Sequence, residues 1–154
     1  RDRKFYLKVK GQGEFEMGLV SEGYRKLSTI MYLILSGSLS GDAILFWDEP
    51  ETNINPKMIK PIVDAIIELA KMGVQVFVTT HDYFVQQSFD MAARYQPKGK
   101  NSLRYNFISL FEDGSKIRYE NAFCLDDLTH NAVMEEFDDL YNREQGLIYD
   151  NRGK

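Results

Sequence analysis

Residues 3–10, RKFYLKVK, alternate strictly, with Phe5, Leu7 and Val9 on one side and Lys4, Tyr6, Lys8 and Lys10 on the other. That period of two predicts a half-buried strand. GQG at 11–13 predicts a turn, and EFEM the returning strand. From Tyr24 the spacing changes to a helical one, through Leu27, Ile30, Met31, Ile34 and Leu35, and predicts a largely buried helix ended by the loop SGSLSGD. AILFW at 43–47 has no polar alternate, which predicts a strand of a parallel sheet covered on both faces. KMIKPIVDAIIELAKM then repeats apolar residues at Met58, Ile62, Ile66, Leu69 and Ala70, and Gly73 is a natural helix stop. Pro61 belongs to the first turn of that helix or to a kink. VQVFVTT predicts the next buried strand, HDYFVQQSFDMAARY another helix, YNFISLF and KIRYENAF a hairpin around EDGS, and LTHNAVMEEFDDLYNREQ a solvated helix.

Strand 43–47, helix 57–72 and strand 74–80 compose a βαβ unit, whose crossover leaves the two strands parallel. Parallel strands bring their carboxyl ends to one edge, where open α/β sheets bind ligands. Asp48 and Glu49 follow the first strand, and Thr79, Thr80 and His81 finish the second. Two adjacent carboxylates repel one another, so their placement suits a bound cation, a proton to be moved, or a solvated turn. As a functional pair, one carboxylate holds Mg²⁺ through oxygen while the other orients a water. His81 suits contact with a phosphate oxygen or a hydrolytic water, or a structural hydrogen bond in a strand-to-helix turn. Ser21 and Gly23 precede a helix whose free N–H groups attract anions, although taken alone they read as an ordinary N-cap with a small neighbour. Asn55 followed by Pro56 reads as a helix cap, and Asn53 and Asn55 also suit a loop facing a partner subunit.

Length and composition narrow the class. A chain of 154 residues with 44% hydrophobic residues folds around one core, so a single domain is expected over 1–154. A formal net charge of −4 gives no general attraction to nucleic acid or anionic lipid. Arg94, Lys98, Lys100 and Arg104 are a local basic group that suits either DNA or a solvated loop. Cys124 is the single cysteine, excluding an internal disulfide, and with His81 and His130 alone a zinc cage is not expected. No apolar run reaches the length of a membrane span, and a cytoplasmic location is expected. PKGKNS contains Gly-Lys, but Arg94 stands where G-x-x-x-x-G-K-[ST] needs its first glycine, so it is not a phosphate-binding P-loop.

In order and spacing, these motifs resemble the second half of an ABC-type ATPase domain, nearest the soluble P-loop branch of RecF, SMC and overcoming-lysogenization-defect ATPases. VSEGY resembles the signature motif, AILFWDEPE the Walker B strand with its catalytic glutamate, TNINP the D-loop, and VFVTTH the switch-histidine strand. The implied fold is α/β, a mainly parallel sheet with flanking helices, plus a carboxyl-terminal β-hairpin and helix. The resemblance implies ATP and Mg²⁺ as cofactors, Asp48 on the metal, Glu49 polarising the attacking water, and His81 on the γ-phosphate. It also implies Ser21 and Gly23 against a nucleotide held by the facing subunit, with Asn53 and Asn55 at the seam of a homodimer. Glu22 and Tyr24 depart from the usual signature residues, and Asn55 from the histidine common in this branch.

Neither a Walker A loop nor a Q-loop occurs in the chain. The expectation is therefore the carboxyl-terminal portion of an ABC-like ATPase domain, a truncated fragment or a natural split, with Walker A supplied by the same parent chain or by another. Alone, such a chain should bind ATP poorly and hydrolyse it negligibly, because phosphate clamping is most of what the protein contributes to phosphoryl transfer. Relatives in that branch act in DNA repair, chromosome organisation and phage defence, which adds DNA or a nuclease as partners. Two competing classes are a non-catalytic regulatory dimerisation module and a metal-dependent nuclease or phosphatase built on Asp48, Glu49, His81 and Asp82.

Overall fold

The computed structural model describes residues 6–11, 13–39, 41–97, 99 and 102–152. The chain forms two compact units, Arg1–Thr80 and His81–Lys154. In the first, strands β1 (Tyr6–Val9) and β2 (Gly13–Glu16) make the expected antiparallel hairpin, with Tyr6 opposite Glu16 and Val9 opposite Gly13. The amino end of the predicted first strand, including Lys4 and Phe5, and Gln12 of its turn lie outside the described residues.

Helix α1 (Glu22–Leu35), strand β3 (Ile44–Asp48), helix α2 (Ile59–Lys71) and strand β4 (Gln75–Thr79) follow. β3 and β4 are parallel and in step from Ile44↔Gln75 to Asp48↔Thr79. α2 buries Ile59, Ile62, Val63, Ile66 and Leu69, a stripe at three- and four-residue spacing on one side of the helix. Asn55 accepts a hydrogen bond from the Lys57 amide at 3.0 Å, and Pro56 opens the short 3₁₀ turn that leads into α2. Pro61 is the third residue of α2, in the turn whose amides lack intrahelical partners, so it breaks no helical bond. Gly73 ends the helix at φ +96, with Gly41 so close that a Cβ would lie 3.1 Å from its carbonyl oxygen. Both its backbone angle and its surroundings require glycine there.

The core joins Ile30, Leu39, Leu69 and Val74, with Leu45, Trp47 and Val76 packed against it. Residues of α1 and α2 thus meet the same face of the β3–β4 pair. The opposite face carries Ile44, Phe46 and Phe77, with Phe46 74% exposed, so among the described residues β3 is covered on one face, where its composition predicts two. The unbroken apolar run arises because the outward positions are also apolar. Phe46 and Phe77 stack on one another with ring centroids 4.8 Å apart. α1 departs from expectation in the same way. It buries Gly23 and Ile30, whereas Tyr24, Met31 and Leu35, spaced seven and four residues apart, form a separate stripe and stay exposed. The helix meets its neighbours along one side only.

In the second unit, α3 (Tyr83–Tyr95) is capped by Asp82, which accepts from the Val85 amide at 2.9 Å. β5 (Phe107–Asp113) and β6 (Lys116–Ala122) form the predicted hairpin, and α4 (Ala132–Arg152) is the long solvated helix. Asp90, 4% exposed, ties α3 to the turn at Leu125–Asp127: it accepts from the Leu125 amide at 2.8 Å and pairs with Arg94 at 2.6 Å. Arg94 also pairs with Asp126 at 2.7 Å, which holds the Asp126 carboxyl below its ordinary range. Arg94 is thus engaged in ion pairs within its own unit, and Lys98 and Lys100 of the same basic group lie outside the described residues. The Cys124 thiol lies 2.9 Å from Asp127, which pushes its pKa up and makes the thiolate scarcer. Among the described residues no helix is long and apolar enough to cross a membrane.

Glu120 of β6 fastens the start of α4. Its carboxylate accepts from the Thr129 hydroxyl and the His130 amide, each at 2.6 Å, and the His130 ring stacks on Phe111. The Thr129 hydroxyl and then the His130 amide hold the Glu120 carboxyl below its usual pKa. Because the folded value is the lower one, this contribution to stability is present above the unfolded carboxyl pKa of about 4.3 and fades as pH falls through the folded value. The expected outcome is that Glu120→Gln melts below the parent chain at pH 7, the gap narrowing as pH falls below the unfolded carboxyl pKa of about 4.3; a gap unchanged by pH would refute this reading. In the first unit, Leu69 is 0% exposed, and Leu69→Ala should cost about 2–5 kcal/mol in urea unfolding. Phe46→Ala, on the open face, should cost far less.

Candidate functional site

The step-for-step pairing of β3 and β4 sets Asp48 opposite Thr79 at the carboxyl edge of the sheet. The Thr79 hydroxyl donates a short hydrogen bond to Asp48 Oδ1. The Glu49 amide donates to the Thr79 carbonyl at 3.1 Å and lies 3.3 Å from its hydroxyl oxygen, so the pairing runs one residue past the strand. The chain then turns sharply. Glu49 has φ +43 and Asn53 φ +59, left-handed conformations that side-chain-bearing residues adopt only when their surroundings hold them.

Those surroundings are visible. Pro50 is fully buried beneath the turn. Thr52 donates its hydroxyl to Glu49 Oε2 at 3.0 Å, and its amide donates to the Glu49 carbonyl at 3.1 Å. The Thr80 hydroxyl donates to Glu51 Oε1 at 2.6 Å, while Glu51 Oε2 is buried with no donor among the described residues. From α1, the Lys26 ammonium reaches the carbonyls of Pro50 and Thr52, each at 2.8 Å, and that of Glu49 at 3.4 Å.

The two acids therefore differ in setting. Asp48 ends a strand with an exposed carboxylate, one oxygen of which is fixed by Thr79. Glu49 is half-buried, in a turn that fixes its backbone. The donor set suits a hard divalent cation such as Mg²⁺, which takes one or two carboxylates and completes its shell with waters and phosphate oxygens. No group of three or more His, Cys, Asp or Glu side chains able to hold a metal occurs among the described residues. A metal at Asp48 would therefore depend on oxygens from a bound nucleotide and water.

Ser21 occupies the N-cap position of α1, exposed, and its hydroxyl makes no capping hydrogen bond. Gly23 is buried, and a Cβ there would lie 3.2 Å from Met58 Cγ. Its missing side chain lets α1 approach the turn before α2 closely, a packing reason independent of any ligand. Asn53 is exposed in the left-handed turn, and the side-chain oxygen of Asn55 is spent on the cap of α2. His81 is exposed and opens the second unit, directly after Thr80 in the chain. The structure thus joins Asp48 and Glu49 around Thr79, and it sets Ser21 and Gly23 on the helix that supplies Lys26.

Lys26 and Thr52 have no part in the motif reading. Lys26 was signalled by its helical position: it lies on the side of α1 that carries Gly23 and Ile30, a single cation on the side that packs. Thr52 carried no such signal, since its bond depends on the left-handed turn at Glu49.

The parallel βαβ unit with paired acids at its carboxyl edge fits a P-loop, ABC-like ATPase domain. The chain belongs to the family described as "AAA domain, putative AbiEii toxin, Type IV TA system", whose model matches residues 1–85. It is similar to the ABC transporter ATP-binding/permease protein Rv1747 of Mycobacterium tuberculosis (strain ATCC 25618 / H37Rv), 23% identical over 165 aligned positions that cover 87% of this chain and 19% of that protein. The chain thus spans about a fifth of that relative's length. A solved structure described as "Structural biochemistry of ATP-driven dimerization and DNA stimulated activation of SMC ATPases" shares the fold, with a TM-score of 0.57 and 14% identity over 90% of this chain and 72% of the other.

Thr79 makes the edge of the sheet coherent, so its hydroxyl should matter by itself. Thr79→Val, which keeps the branched shape, is expected to lower stability by about 1 kcal/mol in urea unfolding, with Thr79→Ser close to the parent chain. Equal stability of all three would mean that the hydroxyl contributes nothing.

Proposed function

We propose that this chain supplies the metal- and water-handling part of an ATP site, as the carboxyl-terminal portion of an ABC-like ATPase domain that hydrolyses ATP as a nucleotide-sandwich dimer. In this reading residues 1–154 are one functional domain, and the Walker A loop comes from the same parent protein or from another chain. The observation that carries the reading is the pairing of Asp48 with Thr79, followed at once by Glu49 in a held left-handed turn. Membership in the AAA-domain family over residues 1–85 supports it.

Each residue then has a task its setting allows. Asp48 holds Mg²⁺ through the carboxylate that Thr79 orients. The metal, when bound, polarises phosphoryl oxygens and offsets their charge. Glu49 orients a water for attack on the γ-phosphate and takes its proton, its carboxylate steadied by the Thr52 hydroxyl. His81 reaches the γ-phosphate from the chain just beyond β4. Ser21 offers a hydroxyl not used in capping, and Gly23 the amide of the first helical turn, to a nucleotide held by the facing subunit. Asn53 and Asn55 lie at the dimer seam, Asn55 through the amide nitrogen left over from its cap.

Opening and closing of the dimer would drive work on a partner. ATP-driven dimerisation and DNA-stimulated activation are named for the structurally similar SMC ATPases. By analogy the proposed setting is the cytoplasm, in DNA repair or phage defence, with DNA or a nuclease as partner.

The decisive test is turnover by the complete ATPase carrying Glu49→Gln. ATP hydrolysis should fall at least about 100-fold, the loss expected for a general base, while ATP binding is retained. Turnover equal to that of an active parent protein would remove Glu49 from the chemistry, and no turnover by either would leave a dimerisation module without catalysis.

A further inference from the structure

The post-strand turn is held from an unexpected direction. Its own bonds are short-range: the Thr52 amide donates to the Glu49 carbonyl, and the Ile54 amide to that of Glu51. Neither restrains the turn relative to the rest of the unit. Thr79 and Thr80 do so from the end of β4, through the Glu49 amide and the Glu51 carboxylate, and from α1 the restraint is Lys26. Its ammonium carries three protons, and three carbonyls of the turn face it: Pro50 and Thr52 at 2.8 Å and Glu49 at 3.4 Å. Charge-assisted bonds from one cation to several carbonyls resist rotation of the peptide planes more strongly than neutral ones. Fixing the carbonyl of Glu49 fixes the plane that follows its Cα, and with φ at +43 this leaves little freedom in where its side chain starts.

Lys26 also stands three residues after Gly23 and five after Ser21, on a continuous helix. Any displacement of that helix end is passed by a stiff rod to one side chain, and by that side chain to the turn bearing Glu49 and Asn53. We infer that Lys26 is a positioning residue: it holds the Glu49 turn in its hydrolysis-competent shape and ties that shape to the helix end that carries Ser21 and Gly23. This rests on the ATP-site reading above. Lys26 itself touches no nucleotide in it, so its loss should slow turnover without weakening nucleotide capture.

The test compares Lys26→Met, Lys26→Arg and Glu49→Gln in the complete ATPase. Lys26→Met keeps the length of the side chain and removes the donors. Its kcat should fall about 10- to 100-fold, the scale of a misplaced reacting group, with KM for ATP within about 3-fold of the parent and an unchanged circular dichroism spectrum. Lys26→Arg, which restores a cationic multiple donor, should recover most of the rate. If Lys26→Met does not fold, Lys26→Gln is judged by the same split between kcat and KM. An unchanged kcat, a rise in KM alone, or an arginine variant as slow as the methionine one would overturn the role of Lys26, provided Glu49→Gln abolishes turnover in that assay. Persistent turnover by Glu49→Gln would instead overturn the ATP-site reading beneath it.

Discussion

The first unit depends on one constraint, the parallel pairing of β3 and β4 in step to its last residue. A shift of one residue would set Thr79 beside Trp47 or Glu49 and turn every side chain of one strand to the other face. What fixes the register is burial. Leu45, Trp47 and Val76 must all meet the core that Ile30 and Leu69 bring from the two helices. The glycine contact between Gly41 and Gly73 sets where the strands begin. The acids at the carboxyl edge are thus placed by hydrophobic packing along the strands that lead to them.

From that edge onward the chain leaves regular structure, and polar bonds take over. The turn from Glu49 to Asn53 has two left-handed residues, a buried proline, two threonine hydroxyls on carboxylates and one lysine on three carbonyls. This is a small polar network in which most members satisfy one another, and such networks specify one geometry more sharply than apolar packing does. A site that must orient a water needs that sharpness. The second unit uses the same device twice, at Asp90 with Arg94 and at Glu120 with Thr129 and His130.

Much of this was legible in the sequence, for identifiable reasons. The βαβ unit, both hairpins, the cap at Asn55 and the placement of Pro61 follow from periodicity and from the few residues that tolerate special backbone. The convergence of Asp48 and Thr79 follows from parallel pairing alone. Exposure was not legible, because Ile44, Phe46, Tyr24 and Met31 are as apolar as their buried neighbours, and residue type does not say which side of an element another layer covers. Long-range polar contacts were equally hidden. The reach of Lys26 across more than twenty residues to the turn depends on two backbone conformations that no motif encodes. The pair of Arg94 with Asp126 was hidden in the same way, whereas Asp90, four residues earlier on the same helix, stands at a spacing the sequence shows.

Trp47 is the chain's single tryptophan, packed against the core on one side and bonded directly to Asp48 on the other. Its indole is a built-in optical probe one peptide bond from the proposed metal ligand. Rearrangement of the carboxyl edge would alter the emission of that one chromophore, with no dye and no second indole in this chain to confuse the signal.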